Sequence, residues 1–233
     1  MKRPTIRNYG LKPEAKIQKD LIAFLEERKW FVKVLHGNAF QQGLPDLFCC
    51  KRDSGYRFIE VKQPDKYMFT AAQADTFPKM TAAGVGIWVL SAATEYEYLA
   101  LGRKPNWWTY FTETKIRSKK EDTTKLPPDK GPEAEIQRRT IAALERDGWF
   151  VKVLHGDLYQ HGMPDLFACK KGCGWRFIEM KNPERYRFTN AQYETFPRLQ
   201  AEGVGVWILT SETQLDLLRG PANWHQFLDG AST

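Results

Sequence analysis

Residues 13 to 90 of this chain recur as residues 132 to 209, without a gap and at a constant offset of 119. Pro13-Glu14-Ala15 aligns on Pro132-Glu133-Ala134, and Leu90 aligns on Leu209. Roughly six in ten of the aligned positions are identical, and a period this long marks a duplicated domain rather than a solenoid unit. The tails correspond after a small deletion, with Asn106-Trp107 resembling Asn223-Trp224. Between the copies lies Thr112 to Gly131, rich in Lys, Thr, Asp and Pro, a composition that predicts a solvated linker. The expected organisation is therefore a domain over 1–111, a linker over 112–131 and a second domain over 132–233. A chain of 233 residues accommodates two such domains, each of about 100 residues.

Each copy carries the same pattern of elements. Pro13, or Pro132, suits the first position of a helix, and Ile17, Leu21, Ile22 and Leu25 then recur at helical spacing. Trp30 to Leu35 is β-branched and aromatic and predicts a strand. A loop from His36 to Leu44 leads to two further strands, Leu47 to Cys50 and Tyr56 to Val61, joined by a turn at Asp53-Ser54-Gly55. Thr70 can cap a helix running to about Met80, Gly84 stops it, and Val85 to Leu90 is a final buried strand. Helix, three strands, helix and strand make an α/β sandwich around a small mixed sheet.

Gly43-Leu44-Pro45-Asp46 precedes Phe58-Ile59-Glu60-Val61-Lys62, and Gly162-Met163-Pro164-Asp165 precedes Phe177-Ile178-Glu179-Met180-Lys181. Side chains alternate along a strand, so Glu60 and Lys62 share a face that Val61 does not. Asp46 enters the neighbouring strand, where it can approach Glu60. Two carboxylates that close repel each other unless a cation lies between them. Oxygen ligands with room for water and phosphate suit Mg²⁺, and Mn²⁺ is expected to substitute. A lysine beside them can orient water and stabilise developing charge. A lone Asp or a lone Glu-x-Lys is ordinarily a solvated surface feature. Here the combination occurs in a fitting strand context, and it occurs twice.

Each half resembles the PD-(D/E)XK nuclease superfamily, and within it the VRR-NUC type. The likeness is carried by Glu14, Gly43-x-Pro45-Asp46, Phe58-Ile59-Glu60-Val61-Lys62 and Thr70-x-x-Gln73, and by Glu133, Gly162-x-Pro164-Asp165, Phe177-Ile178-Glu179-Met180-Lys181 and Thr189-x-x-Gln192. It implies an α/β fold of two tandem restriction-endonuclease-like domains, each a small mixed β-sheet flanked by helices. It also implies metal binding by Asp46, Glu60, Asp165 and Glu179, with Lys62 and Lys181 assisting the attacking water. Glu14, Gln73, Glu133 and Gln192 would support the sites. Met180 replaces the valine usual in that family. Lys16 faces Glu135 across the repeat, so Glu14 and Glu133 are preferred as the first-helix acids.

Beyond these motifs, Lys66, Tyr67, Arg185, Tyr186 and Arg187 mix cations and aromatics just after the site lysines, and are expected to grip phosphate or stack on bases. Phe69 and Phe188 read as core plugs, and Trp30, Trp88, Trp149 and Trp207 as core. Gln18 and Gln137 can face the site or solvent. His36 and His155 fit either a nucleic-acid contact or a structural role, and the Gln42 to His161 difference suggests an exposed loop. The formal charge of +7 is compatible with an acidic partner without demanding one. Cys49, Cys50, Cys169 and Cys173 lack the second pair that a zinc site needs, and read as reduced thiols. No apolar run reaches the length of a membrane helix, and Met1-Lys2-Arg3-Pro4 is not followed by the apolar core of a secretory signal. A cytoplasmic location without membrane contact is expected, and a viral or mobile-element origin would suit so compact a tandem.

The sequence thus points to a Mg²⁺-dependent endonuclease acting on duplex or branched DNA such as Holliday junctions. One chain would supply two sites as a monomeric pseudo-dimer. The alternatives are a nucleic-acid-binding module that does not cut, or a nuclease with one working site.

Overall fold

A computed structural model describes residues 13–35, 42–64, 66–91, 102–111, 116–117, 131–154 and 161–227. The elements in chain order are α1 (Pro13–Glu27), β1 (Phe31–Val34), β2 (Leu47–Lys51), β3 (Gly55–Val61), β4 (Phe69–Thr70), α2 (Ala71–Ala82), β5 (Ile87–Leu90), α3 (Trp107–Tyr110) and β6 (Ile116–Arg117). They continue with α4 (Pro132–Arg146), β7 (Phe150–Val153), β8 (Leu166–Lys170), β9 (Gly174–Met180), α5 (Asn190–Ala201) and β10 (Val206–Leu209), followed by 3₁₀ helices at Glu212–Arg219 and Trp224–Phe227. The result is the mixed α/β fold expected: two four-stranded sheets, ordered β1-β2-β3-β5 and β7-β8-β9-β10. In each the first three strands are antiparallel and the last joins in parallel.

Strand alternation divides each sheet into two faces. Leu47, Cys49, Ile59 and Val61 turn to one side and bury with Ile17, Leu21 and Leu25 of α1. Leu166, Ala168, Ile178 and Met180 do the same with Leu144 of α4. The opposite faces meet each other, and residues of both halves form one continuous hydrophobic cluster. Its centre is aromatic. Phe48 lies 5.0 Å from Phe177, and Phe58 lies 5.2 Å from Phe167. Because Phe167 and Phe177 are the repeat counterparts of Phe48 and Phe58, the second contact is the first with the halves exchanged. The same exchange relates Lys33 Nζ donating to the His161 carbonyl and Lys152 Nζ donating to the Gln42 carbonyl, both at 2.8 Å. It also relates the Lys79 ammonium over Phe150 to the Arg198 guanidinium over Phe31. Reciprocity of this kind is the signature of a twofold interface.

The expected linker, 112–131, is described only at 116–117 and 131. Ile116–Arg117 pairs in parallel with Phe69–Thr70, so this part of the segment adds a strand beside the first half. Phe188–Thr189 has no such partner among the described residues. Among the described residues, no helix is long and apolar enough to cross a membrane.

Candidate active sites

The strand register brings the acids together. Leu47 pairs with Ile59 and Phe48 with Phe58, so continuing the antiparallel register by one step sets Asp46 opposite Glu60. In the second half Leu166 pairs with Ile178, which sets Asp165 opposite Glu179. Main-chain bonds hold the aspartates there: the Asp46 carbonyl accepts from Leu35 N–H at 2.8 Å, and the Asp165 carbonyl from Leu154 N–H at 2.7 Å. Their side chains are fixed as well. Asp46 Oδ2 accepts from the Val61 N–H, and Asp165 Oδ2 from the Met180 N–H, both at 2.7 Å. Val61 and Met180 therefore serve the site through their backbones, although their side chains face the other way.

The glycine of each Gly-x-Pro-Asp turn is a steric requirement. Gly43 has φ = +90°, and a Cβ there would lie 2.5 Å from both the Ala72 carbonyl oxygen and Thr76 Oγ1. Gly162 has φ = +81° and meets the Ala191 carbonyl and Thr195 Oγ1 in the same way. The aspartate-bearing turn is thus pressed against the first turns of α2 or α5. The same helix ends hold the glutamates. Thr70 accepts from Gln73 N–H and Gln73 Oε1 accepts from Thr70 N–H, forming a capping box. Gln73 Nε2 is left free to donate to Glu60 Oε1 at 2.6 Å. Thr189, Gln192 and Glu179 repeat this arrangement, also with a 2.6 Å bond.

Glu60 and Glu179 are each 1% exposed. Burial pushes both carboxyls up, to about 8, and the facing aspartates add to the shift. Asp46 is raised to about 6 by burial, against the lowering effect of the Val61 hydrogen bond. The counter-charges are the lysines. Lys62 Nζ lies 2.5 Å from Glu60 Oε1, and Lys181 Nζ lies 2.6 Å from Glu179 Oε1. Burial alone would depress these ammonium groups, but the glutamates, the aspartates and the helix acids Glu14 and Glu133 outweigh it and raise them. Both lysines are therefore charged donors at neutral pH. Each ammonium also lies over a ring, Phe69 at 5.1 Å and Phe188 at 5.3 Å. These two phenylalanines are buried as expected, and they also shape the lysine environment.

Glu60 Oε2 is buried and has no hydrogen-bond partner among the described residues. A charged oxygen in that condition is costly, and a cation between Glu60 and Asp46 would relieve both the cost and the mutual repulsion. The donor set of carboxylate oxygens fits a hard divalent ion that keeps several waters. Among the described residues no group of three or more His, Cys, Asp or Glu side chains is arranged to hold a metal, so each site offers two central carboxylates. Thiol chemistry is disfavoured: Cys50 and Cys169 are pushed up to about 12 by burial.

The remaining sequence-derived residues have varied placements. Glu14 is exposed and accepts from the Gln63 N–H at 3.2 Å, whereas Glu133 reaches Lys181 Nζ at 3.7 Å. Glu135 pairs with Arg138 and Arg139 on the surface. Lys66, Arg185 and Arg187 are exposed, while Tyr67 and Tyr186 are half-buried against Tyr110 and Phe227. Trp30, Trp88 and Trp149 are buried and Trp207 is half-buried. Gln42 and His161 are both exposed, and Gln18 and Gln137 half-buried. His36 and His155 lie outside the described residues.

No family model and no curated protein matches this chain. A solved structure described as a VRR_NUC domain is 26% identical over 38% of this chain and 95% of its own, with a TM-score of 0.33. The functional reading therefore rests on the geometry of the two sites.

Proposed function

We propose that the chain is a Mg²⁺-dependent endonuclease that hydrolyses DNA phosphodiester bonds, with one active site in each half. The observation that carries this reading is the Asp46–Glu60–Lys62 cluster, in which Glu60 and Lys62 are buried and one Glu60 oxygen has no partner among the described residues, and the recurrence of the same residues at Asp165, Glu179 and Lys181. Asp46 with Glu60, and Asp165 with Glu179, would hold the metal; Mn²⁺ suits the same oxygens. When bound, the metal supplies Lewis-acid polarisation of a phosphate oxygen and a water acidified for attack.

The chain's own residues do the rest. Gln73 and Gln192 fix the glutamates through the helix caps, so the carboxylates need not reorganise as charge develops. Lys62 and Lys181, held charged, donate hydrogen bonds towards a phosphoryl oxygen and orient water. Lys66, Arg185 and Arg187 are exposed cations suited to the flanking backbone phosphates. The reciprocal packing of the sheets supports a monomeric pseudo-dimer, which suits paired incisions in duplex or branched DNA, with the Holliday junction a leading substrate.

The test is cleavage of end-labelled single strand, linear duplex, 5′ flap and four-way junction, in Mg²⁺ and in EDTA. Metal-dependent incision by the wild type, absent from the Asp46→Asn/Asp165→Asn double variant, is expected. Incision that persists in the double variant, or no incision of any substrate by the wild type, would refute the proposal.

A further inference from the structure

We propose that Tyr193 is a stacking platform for an unpaired nucleobase beside the second site, and that Ala74, its counterpart beside the first site, provides none. This rests on the nuclease reading above and adds a difference in substrate preference between the two sites. Tyr193 follows Gln192, whose amide holds Glu179. It is 44% exposed, and among the described residues only Trp108, Tyr193 and Leu217 are large hydrophobics presented to solvent. Its ring meets that of Phe188 at 5.7 Å, and Phe188 in turn underlies the Lys181 ammonium at 5.3 Å. Successive contacts thus connect an exposed ring, a buried ring and the site ammonium.

The repeat supplies an internal control. At the offset of 119, Tyr193 corresponds to Ala74 and Arg187 to Met68. At these two aligned positions the second half therefore carries an aromatic and a cation where the first has neither. Among the described residues its approach is also more open. Thr70 is half-buried where Ile116–Arg117 pairs with Phe69–Thr70, whereas its counterpart Thr189 is exposed. An accessible ring, with an exposed arginine next in sequence to the buried ring it touches, is the chemistry that holds a splayed base and its phosphate. A fully stacked duplex offers no base face to such a ring, so the preference should be for substrates with an unpaired base near the scissile bond.

Second-site cleavage can be isolated in a Lys62→Ala background and measured on a duplex with one unpaired base near the cut and on the fully paired duplex. Tyr193→Ala should lower the ratio of kcat/KM, unpaired over paired, by about 5- to 150-fold through KM. Tyr193→Phe and Tyr193→Trp should keep the ratio. Ala74→Tyr in a Lys181→Ala background should raise it at the first site. An unchanged ratio in Tyr193→Ala, with cleavage still running, would overturn the stacking role while leaving the nuclease reading intact. If the wild type cuts nothing, quenching of a 2-aminopurine-labelled single strand decides. Loss of quenching in Tyr193→Ala would support stacking alone, and undiminished quenching would overturn it.

Discussion

The two halves agree most closely where strand register and helix caps dictate position, and they diverge most where neither does. Glu60 and Glu179 each accept from a capping-box glutamine at 2.6 Å, and each aspartate accepts from a strand N–H at 2.7 Å. Around that interior, Glu14 accepts from a backbone amide while Glu133 reaches a lysine. Inside it one contact differs: Glu179 Oε2 accepts from the Asp165 N–H at 3.2 Å, whereas Glu60 Oε2 has no hydrogen-bond partner among the described residues. One flank is lined by β6 and the other carries Tyr193. A buried charged cluster tolerates little change because every lost partner leaves an uncompensated group. The rim is solvated, so substitutions there cost little and can alter substrate preference.

The largest effect expected on stability is at the interface that makes the halves one body. Phe48→Ala and Phe167→Ala occupy exchanged positions, and each should cost about 3–5 kcal/mol in chemical denaturation. The double variant should lose less than the sum if the aromatic contacts are shared. A loss confined to one member of the pair would break the equivalence of the two faces. Next come the turn glycines. Gly43→Ala and Gly162→Ala each combine a positive φ with a clash against helix backbone, and each should destabilise by about 2–3 kcal/mol. Free accommodation of either alanine would show that the aspartate turn is not pressed on its helix.

A pH series separates site charge from packing. The Glu60 and Glu179 carboxyls lie near 8 and Asp46 near 6, all above their unfolded values. Their contribution to stability is therefore complete below the unfolded pKa and is lost as pH rises through the folded pKa. The Tm of metal-free protein should fall between about pH 5 and 8, and Glu60→Gln/Glu179→Gln should flatten that fall. An equal slope in the variant would contradict the buried-carboxylate account. The smallest effect concerns local backbone. Lys29 has φ = +64° where the second half has Gly148 at φ = +81°. Lys29→Gly should raise stability by about 0.5–1 kcal/mol, and a destabilised variant would show that the lysine side chain has a compensating role.

Much of this is legible in the sequence. Strand alternation put Glu60 and Lys62 on one face, Thr70 announced a helix start, and Gly84 announced its end. A pseudo-dimer is expected from the repeat, but the faces that join the halves are not legible, because Phe48 and Phe58 look like any core residue and the pattern does not say what covers a face. Nor did composition reveal that Ile116–Arg117 would pair with Phe69–Thr70, since two residues carry no periodicity. The ring beneath each lysine was hidden for a related reason. Phe69 and Phe188 lie seven residues beyond Lys62 and Lys181, and only the fold closes that distance.

The most direct test of two equivalent sites is strand-resolved cleavage of a four-way junction in Mg²⁺ by wild type, Lys62→Ala, Lys181→Ala and the double variant. Two working sites predict paired incisions by the wild type and a single nick from each single variant. In each of these the altered site should be slowed by about 100- to 1,000-fold, and the double variant should leave the junction uncut. Full paired incision by either single variant, or complete loss of cutting in only one of them, would contradict the account.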